Sequence, residues 1–361
     1  MRKICLVAGG TGGHIFPAIA FGEWMTKHRE EVSVSYVCGS RALEHEIFSS
    51  AGLAPVFLPL SGSPFGVRNF AGKMRRWKEI FTSFFAFRRY LKENRLHCCV
   101  LFGGYVSFIP LILCHLFRIP LIVHEQNSVA GKVTRLSVKF GKKVASGWNV
   151  CTPLSSGSFI RTGVPVRRFV LKGKQEAFKE MGLEPISPKE RIIGVLGGSL
   201  MSQRLIQLLG TIFQDQELDN VTFLIPSDSQ SLVPMQAERK NLRKFIFIEK
   251  QWDMSCFYSV VEAVVTRGGA STLAELISLG IPAVIVPWRD AADNHQEMNA
   301  RCFLENNDGE LWREDESPEA LRDYILRILR KKRHMKENFS EGDESESLWR
   351  LISSSTGREI I

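Results

Sequence analysis

At 361 residues, with 44% hydrophobic and 24% charged residues, the chain has the length of two ordinary domains and the composition of a soluble globular protein able to bury real cores. Its net charge of +9, from 47 basic against 38 acidic residues, favours an anionic partner, whether phosphate, nucleic acid or lipid headgroup, without choosing among them. The eight cysteines are scattered, mostly inside apolar runs, with neither CxxC spacing nor a histidine cluster, which argues against zinc and for reduced thiols in a cytoplasmic protein.

The first element is KICLVAGGT (Lys3 to Thr11), whose apolar run meets glycine within about seven residues, too soon for a signal-peptide core. An apolar helix is expected over Pro17 to Met25, with Pro17 in its first turn, where a missing N–H costs nothing. Strands follow at Val32 to Val37, His97 to Phe102 and Pro120 to Val123. The most membrane-like stretch, Val106 to Val123, is interrupted by Pro110, His115, Arg118 and Pro120, so no spanning helix is expected. A linker is expected from Thr162 to about Lys189, with the domain boundary near Gly163.

The second half starts as the first does, with RIIGVLGGS (Arg191 to Ser199) followed by a helical stretch, Gln203 to Phe213. Strands are expected at Val221 to Ile225, Phe245 to Ile248, Ala263 to Thr266 and Ala283 to Val286, with helical segments between most of them. A short apolar run, two glycines, a small hydroxyl residue and a helix, met twice, predict two doubly wound α/β domains with buried parallel sheets. The expected division is 1–163, 164–340 and a C-terminal helix in 341–361 that includes Leu348 to Ile352 and packs back on the first domain.

Chemistry concentrates at the predicted carboxyl ends of strands. A glycine loop leading into a helix lets backbone N–H groups and the helix dipole meet an anion. GGTGGH (Gly9 to His14) is neither a Walker loop nor a GxGxxG fingerprint. Three further ligand loops are GGYVS (Gly103 to Ser107), HEQNSVAG (His124 to Gly131) and RGGASTLAE (Arg267 to Glu275). Glu275 has two readings: an acceptor for the vicinal hydroxyls of a ribose, or a capping-box carboxylate. DNHQEMNA (Asp293 to Ala300) adds amides and a histidine able to reach sugar hydroxyls. No DxD occurs, so no divalent ion clamped by that motif is expected, and phosphate charge falls to backbone N–H groups, helix ends and arginines such as Arg167 or Arg267. Neither a metal nor a cofactor is expected.

Taken in order, GGTGGHIFPAIA, GGYVS, HEQNSVAG, GVPVR, GGS, Asp253–Met254, RGGASTLAE and HQEMNA resemble the motifs of the MurG glycosyltransferases over roughly residues 4 to 305. The resemblance implies a glycosyltransferase-B fold, two Rossmann-like domains facing a cleft, and an inverting transfer of GlcNAc from UDP-GlcNAc to the C4 hydroxyl of MurNAc in lipid I, giving lipid II. It implies a donor site of Thr11, Gly12, Gly13, Asn127, Arg167, Ser199, Gln251, Ala270, Ser271, Thr272, Leu273, Ala274, Glu275, His295 and Gln296. Of these, Glu275 would meet the ribose, Ser199 the diphosphate, groups near Gln251 the uracil, and His295 with Gln296 the sugar. The acceptor side would be lined by His14, Tyr105, His124 and Glu125. His14 is the first candidate for general base, since an imidazole titrates near neutrality, and Glu125 is its competitor. The chain departs from the family at Leu200 and Met201 after GGS, at Val164 in GVPVR and at Phe108 after GGYVS.

Between Lys73 and Tyr90 the chain reads KMRRWKEIFTSFFAFRRY. Lys73, Arg75, Arg76, Lys78 and Arg88 around Trp77, Phe81, Phe84 and Phe85 suit an interfacial helix on anionic lipid, although some of these rings are expected in the core. The expectation is peripheral attachment to the cytoplasmic face of the inner membrane, near cell-wall synthesis and division proteins. Rival readings are a UDP-GlcNAc 2-epimerase on the same fold and a dehydrogenase. The latter needs an acidic residue after the second strand, where Val37 to Ser40 supply none. Nucleic acid is not an expected partner, because no groove-reading motif accompanies the basic segment.

Overall fold

In the computed structural model, which describes residues 1–62, 70–184, 186–187, 189–197, 203–212, 218, 220–227, 245–331, 333 and 342–355, contacts divide the chain into two compact units. One is Met1–Arg167 with Ser340–Ile361, the other Arg168–Phe339.

In the first unit, β1 (Arg2–Val7), β2 (Val32–Cys38), β3 (Val56–Phe57), β4 (Cys98–Leu101), β5 (Leu121–Glu125), β6 (Lys143–Ser146) and β7 (Ile160–Arg161) form one sheet of order β3-β2-β1-β4-β5-β6-β7. Every pairing is parallel. Helices α1 (Gly12–His28), α2 (Ala42–Ser50), α3 (Phe70–Glu93), α4 (Phe108–Leu116) and α5 (Lys132–Lys139) make the crossovers. This explains why the central strands read as unbroken apolar runs: both faces are covered, as in Cys98–Leu101, buried throughout.

The second unit repeats the plan. Strands β8 (Arg191–Leu196), β9 (Val221–Ser227), β10 (Phe245–Glu249), β11 (Ala263–Thr266), β12 (Ala283–Ile285) and β13 (Gly309–Leu311) order themselves β10-β9-β8-β11-β12-β13, all parallel. Its helices are α6 (Lys174–Glu180), α7 (Gln203–Thr211), α8 (Ser255–Val260), α9 (Ala270–Leu279), α10 (His295–Leu304) and α11 (Pro318–Leu329). The final helix, α12 (Asp343–Ser355), belongs to the first unit. There Arg29 lies over the rings of Trp24 and Trp349 and bonds Glu346 at 2.7 Å, tying α12 to the end of α1.

Two expectations are corrected. Helix α1 begins at Gly12 rather than Pro17, so Pro17 sits in the second turn, without an N–H for the carbonyl four residues earlier. The glycines are themselves the helix N-terminus, because Thr11, extended at φ −143°, accepts through its carbonyl from the N–H groups of His14 and Ile15. Strands β3, β6, β7 and β13 escaped the sequence reading. Two are two residues long with exposed side chains, and such edges carry no apolar period.

Each sheet has its strand-order reversal at the same place, between β1 and β4 in the first unit and between β8 and β11 in the second. Loops leaving the carboxyl ends of such a pair splay apart and leave a crevice where ligands bind. GGTGGH leaves β1 and GGYVS leaves β4; in the second unit RGGAST leaves β11.

Candidate functional site

In the first unit, His14 stands in the first turn of α1, half-buried, with its ring against Gly103. Gly103 and Gly104 follow β4 at φ of +97° and +79°. A Cβ on Gly104 would lie 2.0 Å from the carbonyl oxygen of Gly9, and one on Gly103 would lie 3.1 Å from the imidazole. The bare backbone of both motifs is therefore what lets the β1 and β4 loops touch around the histidine.

His14 Nδ1 lies 2.9 Å from Gln126 Oε1. The Gln126 amide nitrogen donates to the carbonyl of His124 and to its Nδ1, each at 3.0 Å, and His124 Nε2 lies 2.8 Å from the Gly163 carbonyl. His124 and Gln126 are two residues apart at the end of β5, so they share a face. Both are about 1% exposed, so His124 has almost no surface of its own to offer a ligand. Burial holds the His124 imidazole down to about 4, so it is neutral at physiological pH.

Glu125, on the opposite face, has its oxygens occupied. Oε1 accepts from the Asn127 N–H and side-chain amide, and Oε2 from the Gly131 N–H at 2.8 Å and the Thr134 hydroxyl at 2.6 Å. The carboxylate closes the loop that starts α5. Tyr105 is similarly committed: its hydroxyl donates to the Glu44 carboxylate at 2.8 Å. Burial and the Glu44 charge push that phenol up, so it stays protonated. Glu44, fully buried, also accepts from the Gly10 N–H at 2.5 Å and so pins the glycine loop. Arg167 stacks 3.8 Å over the Phe16 ring. Thr11 and Gly13 are half-buried and Gly12 is buried.

In the second unit, α9 opens at Ala270 behind the N-cap Gly269. Ser271 and Thr272 are half-buried in its first turn, while Leu273 and Ala274 face the core. Glu275 lies one turn further along, beyond the reach of a capping box, and accepts from the Tyr258 hydroxyl of α8 at 2.6 Å. Gly268 packs on α10, where a Cβ would sit 2.2 Å from the Gln296 carbonyl, and Asn299 Nδ2 donates to the Gly268 carbonyl at 3.0 Å. These contacts bring the β11 loop and the His295–Gln296 turn together. Asp293 and Asn294 hold that turn in left-handed backbone, at φ of +53° and +52°. Glu297 anchors it, its carboxyl lowered to about 2 by hydrogen bonds from Arg301 and Arg313. His295 Nδ1 donates to the Ala292 carbonyl, and Gln296 Oε1 accepts from the Trp288 N–H at 2.9 Å. Gln251, half-buried, follows β10. Ser199, with Leu200 and Met201, lies outside the described residues.

Arg267 is not a surface arginine. It is 6% exposed, paired with Glu314 at 2.9 Å, and donates to the Val286 carbonyl. It braces the β11 and β12 loops from inside. Gln126, Glu44 and Tyr258 are the partners the sequence reading passed over. For Gln126 a signal existed in the alternation of HEQN; for Glu44 and Tyr258 none did.

Helix α3 buries Ser83, Phe87, Tyr90 and Leu91 and leaves Phe70, Met74, Trp77, Phe81 and Phe85 exposed. Those five, spaced by three or four residues, form one stripe. Phe84 is half-buried against the core, and Phe81 and Phe85 meet edge to face at 4.7 Å. Lys73, Arg75 and Lys78 are exposed and Arg88 is half-buried. Arg76 is bound to Glu79 at 2.6 Å and to Ser61. No helix among the described residues is long and apolar enough to cross a membrane, and no acidic, histidine or cysteine cluster among them could hold a metal ion.

Two parallel α/β sheets, each with a glycine loop at the carboxyl end of a switch-point strand, are the architecture of the glycosyltransferase-B fold, and sequence comparison narrows the class. Residues 4–146 match the glycosyltransferase family 28 N-terminal domain, and residues 192–349 the corresponding C-terminal domain. The chain is 30% identical, over 93% of its length and 92% of the relative's, to the UDP-N-acetylglucosamine--N-acetylmuramyl-(pentapeptide) pyrophosphoryl-undecaprenol N-acetylglucosamine transferase of Thermodesulfovibrio yellowstonii. The chain belongs to this MurG family of glycosyltransferases. In fold it is similar to the crystal structure of Acinetobacter baumannii MurG, with a TM-score of 0.70 and 22% identity, covering 98% of this chain and 100% of that one. It also shares its fold with the UDP-GlcNAc 2-epimerase of Neisseria meningitidis, at a TM-score of 0.67 and 14% identity over 98% of this chain and 100% of that one.

Proposed function

We propose that this enzyme transfers GlcNAc from UDP-GlcNAc to the C4 hydroxyl of MurNAc in undecaprenyl-pyrophosphoryl-MurNAc-pentapeptide, lipid I, with inversion, forming the lipid II of peptidoglycan synthesis. Membership of the MurG family is what supports the reaction; the observation that carries the mechanism is His14. It is half-buried at a helix start, its Nδ1 is engaged by Gln126, and its Nε2 has no bond among the described residues. A base must accept the C4 hydroxyl proton as the oxygen attacks the anomeric carbon. Nε2 can do so, whereas Glu125 already accepts four hydrogen bonds. The first turn of α1, with Thr11, Gly12 and Gly13, offers N–H groups to acceptor pyrophosphate or donor.

On the donor side, Glu275 accepts the ribose hydroxyls, held by Tyr258. Ser271 and Thr272, with the N-terminus of α9, face the diphosphate and stabilise it as it leaves. His295 and Gln296 orient the sugar and Gln251 the uracil. The stripe on α3, flanked by Lys73, Arg75 and Lys78, supports peripheral attachment to an anionic membrane, where an undecaprenyl-linked acceptor resides.

The test is to incubate the protein with UDP-GlcNAc and a lipid I analogue in the presence of EDTA. Release of UDP only when acceptor is added, with a disaccharide product, is the expected result. Conversion of UDP-GlcNAc to UDP-ManNAc without acceptor would replace this reading with the epimerase.

A further inference from the structure

The hydrogen-bond chain behind His14 ends on a group that admits only one polarity. The Gly163 carbonyl can only accept, so His124 Nε2, 2.8 Å away, carries a proton. His124 is neutral, held down to about 4 by burial, so its Nδ1 is a lone pair. A lone pair there requires the NH2 end of the Gln126 amide. The same nitrogen's bond to the His124 carbonyl, also 3.0 Å, independently fixes the amide in that orientation. Gln126 Oε1 then points at His14 Nδ1, and an oxygen can only accept. Neutral His14 must therefore carry its proton on Nδ1, with the lone pair on Nε2. The backbone of Gln126 is fixed as well, because its carbonyl accepts from Trp148 Nε1 at 2.9 Å, so the amide hangs from a rigid strand end.

We infer that Gln126 and His124 are positioning residues whose hydrogen-bond chain, anchored on the Gly163 carbonyl, holds His14 in the Nδ1–H tautomer and so keeps Nε2 ready to take the acceptor's proton. This rests on His14 as the base and adds to it. A neutral imidazole left to itself favours the proton on Nε2, the form that cannot accept there. Orientation by an amide rather than a carboxylate sets the tautomer without adding a negative charge behind the ring. The base can then release its proton again after turnover.

Proton–nitrogen correlation NMR of the histidine rings in the full-length enzyme reads the tautomer directly, with His14 assigned by the signal lost in His14→Gln. Wild type is expected to show a protonated Nδ1 and a bare Nε2; a majority of the Nε2–H form overturns the inference. Gln126→Leu is expected to move His14 toward Nε2–H and to lower kcat by on the order of 10²-fold, with KM for UDP-GlcNAc unchanged. Gln126→Glu, which keeps an acceptor opposite Nδ1, is expected to retain the Nδ1–H form. If Gln126→Leu does not fold, the wild-type and Gln126→Glu spectra still decide. A Gln126→Leu protein that keeps Nδ1–H overturns the inference. A switched tautomer with unchanged kcat leaves the hydrogen-bond chain standing as an assignment and removes His14 as the base.

Discussion

The β1–β4 switch point of the first sheet and the β8–β11 switch point of the second occupy matching positions in the same strand order, and each has a buried carboxylate held by a tyrosine, Glu44 by Tyr105 and Glu275 by Tyr258, yet the groups that back the loop residues themselves differ. Behind His14 lies a chain of one amide, one imidazole and a backbone carbonyl, with no formal charge in it. Behind the RGGAST loop lie charges: Glu275 held by a tyrosine, and Arg267 paired with Glu314. A neutral chain passes on the orientation of a proton without biasing strongly where it ends. A fixed carboxylate is a permanent acceptor, suited to reading hydroxyl groups that do not react. The fold therefore supplies a place for a ligand twice, and the chemistry depends on which groups back the loop.

The comparison breaks most sharply at His14. His14→Ala is expected to lower kcat by about 10² to 10⁴-fold, with KM for UDP-GlcNAc near wild type, in steady-state and single-turnover assays. Loss of donor affinity with an unchanged chemical step would make the first switch point a binding site like the second.

The next effect is on stability. His124 has a folded-state value of about 4, against an ordinary 6.5, so between those values the unfolded chain binds the extra proton. Its contribution is full above pH 6.5 and is lost as pH falls toward 4, on the order of 3 kcal/mol in all. Denaturant unfolding across that window is expected to show stability falling with acidification, and His124→Gln is expected to flatten the slope. An unchanged slope would mean that His124 is not buried neutral.

At the second switch point, Glu275→Ala is expected to raise KM for UDP-GlcNAc by about 10 to 100-fold, the worth of hydrogen bonds to a charged group, with a smaller change in kcat. Tyr258→Phe is expected to have a weaker effect in the same direction. A kcat loss exceeding the KM change would give the carboxylate a part in the chemical step.

The smallest effects concern α3. Vesicle sedimentation with anionic lipid is expected to weaken by about 1 kcal/mol for each of Lys73→Gln, Arg75→Gln and Lys78→Gln. Arg76→Gln is expected to change binding little, because Glu79 and Ser61 already hold its guanidinium. Equal losses at all four would mean that the Arg76 ion pair opens at the surface.

Much of the fold was legible because buried parallel strands must be apolar along their whole length. Cys98–Leu101 and Ala263–Thr266 read directly for that reason, whereas Val56–Phe57 and Ile160–Arg161 are short edges with no such demand. The site was legible as loops but not as roles. His124 and Glu125 are neighbours in one motif, and only the strand's alternation, sending one into the His14 chain and the other into the α5 loop, separates them. Arg267 reads as a phosphate ligand beside two glycines, and its pairing with Glu314, 47 residues away, turns it into an internal brace.

By itself the sequence determined the two α/β halves, the glycine loops at their strand ends, the basic aromatic helix and the MurG family, because each is written in local periodicity or contiguous motifs. Tertiary structure alone decided which polar atoms meet. That Gly163 orients His124, that His124 and Gln126 orient His14, and that Tyr258 holds Glu275 are facts about groups up to 112 residues apart. A hydrogen bond's direction follows from its partner rather than from the residue alone, so the protonation of His14 could be read only after the chain had folded around it.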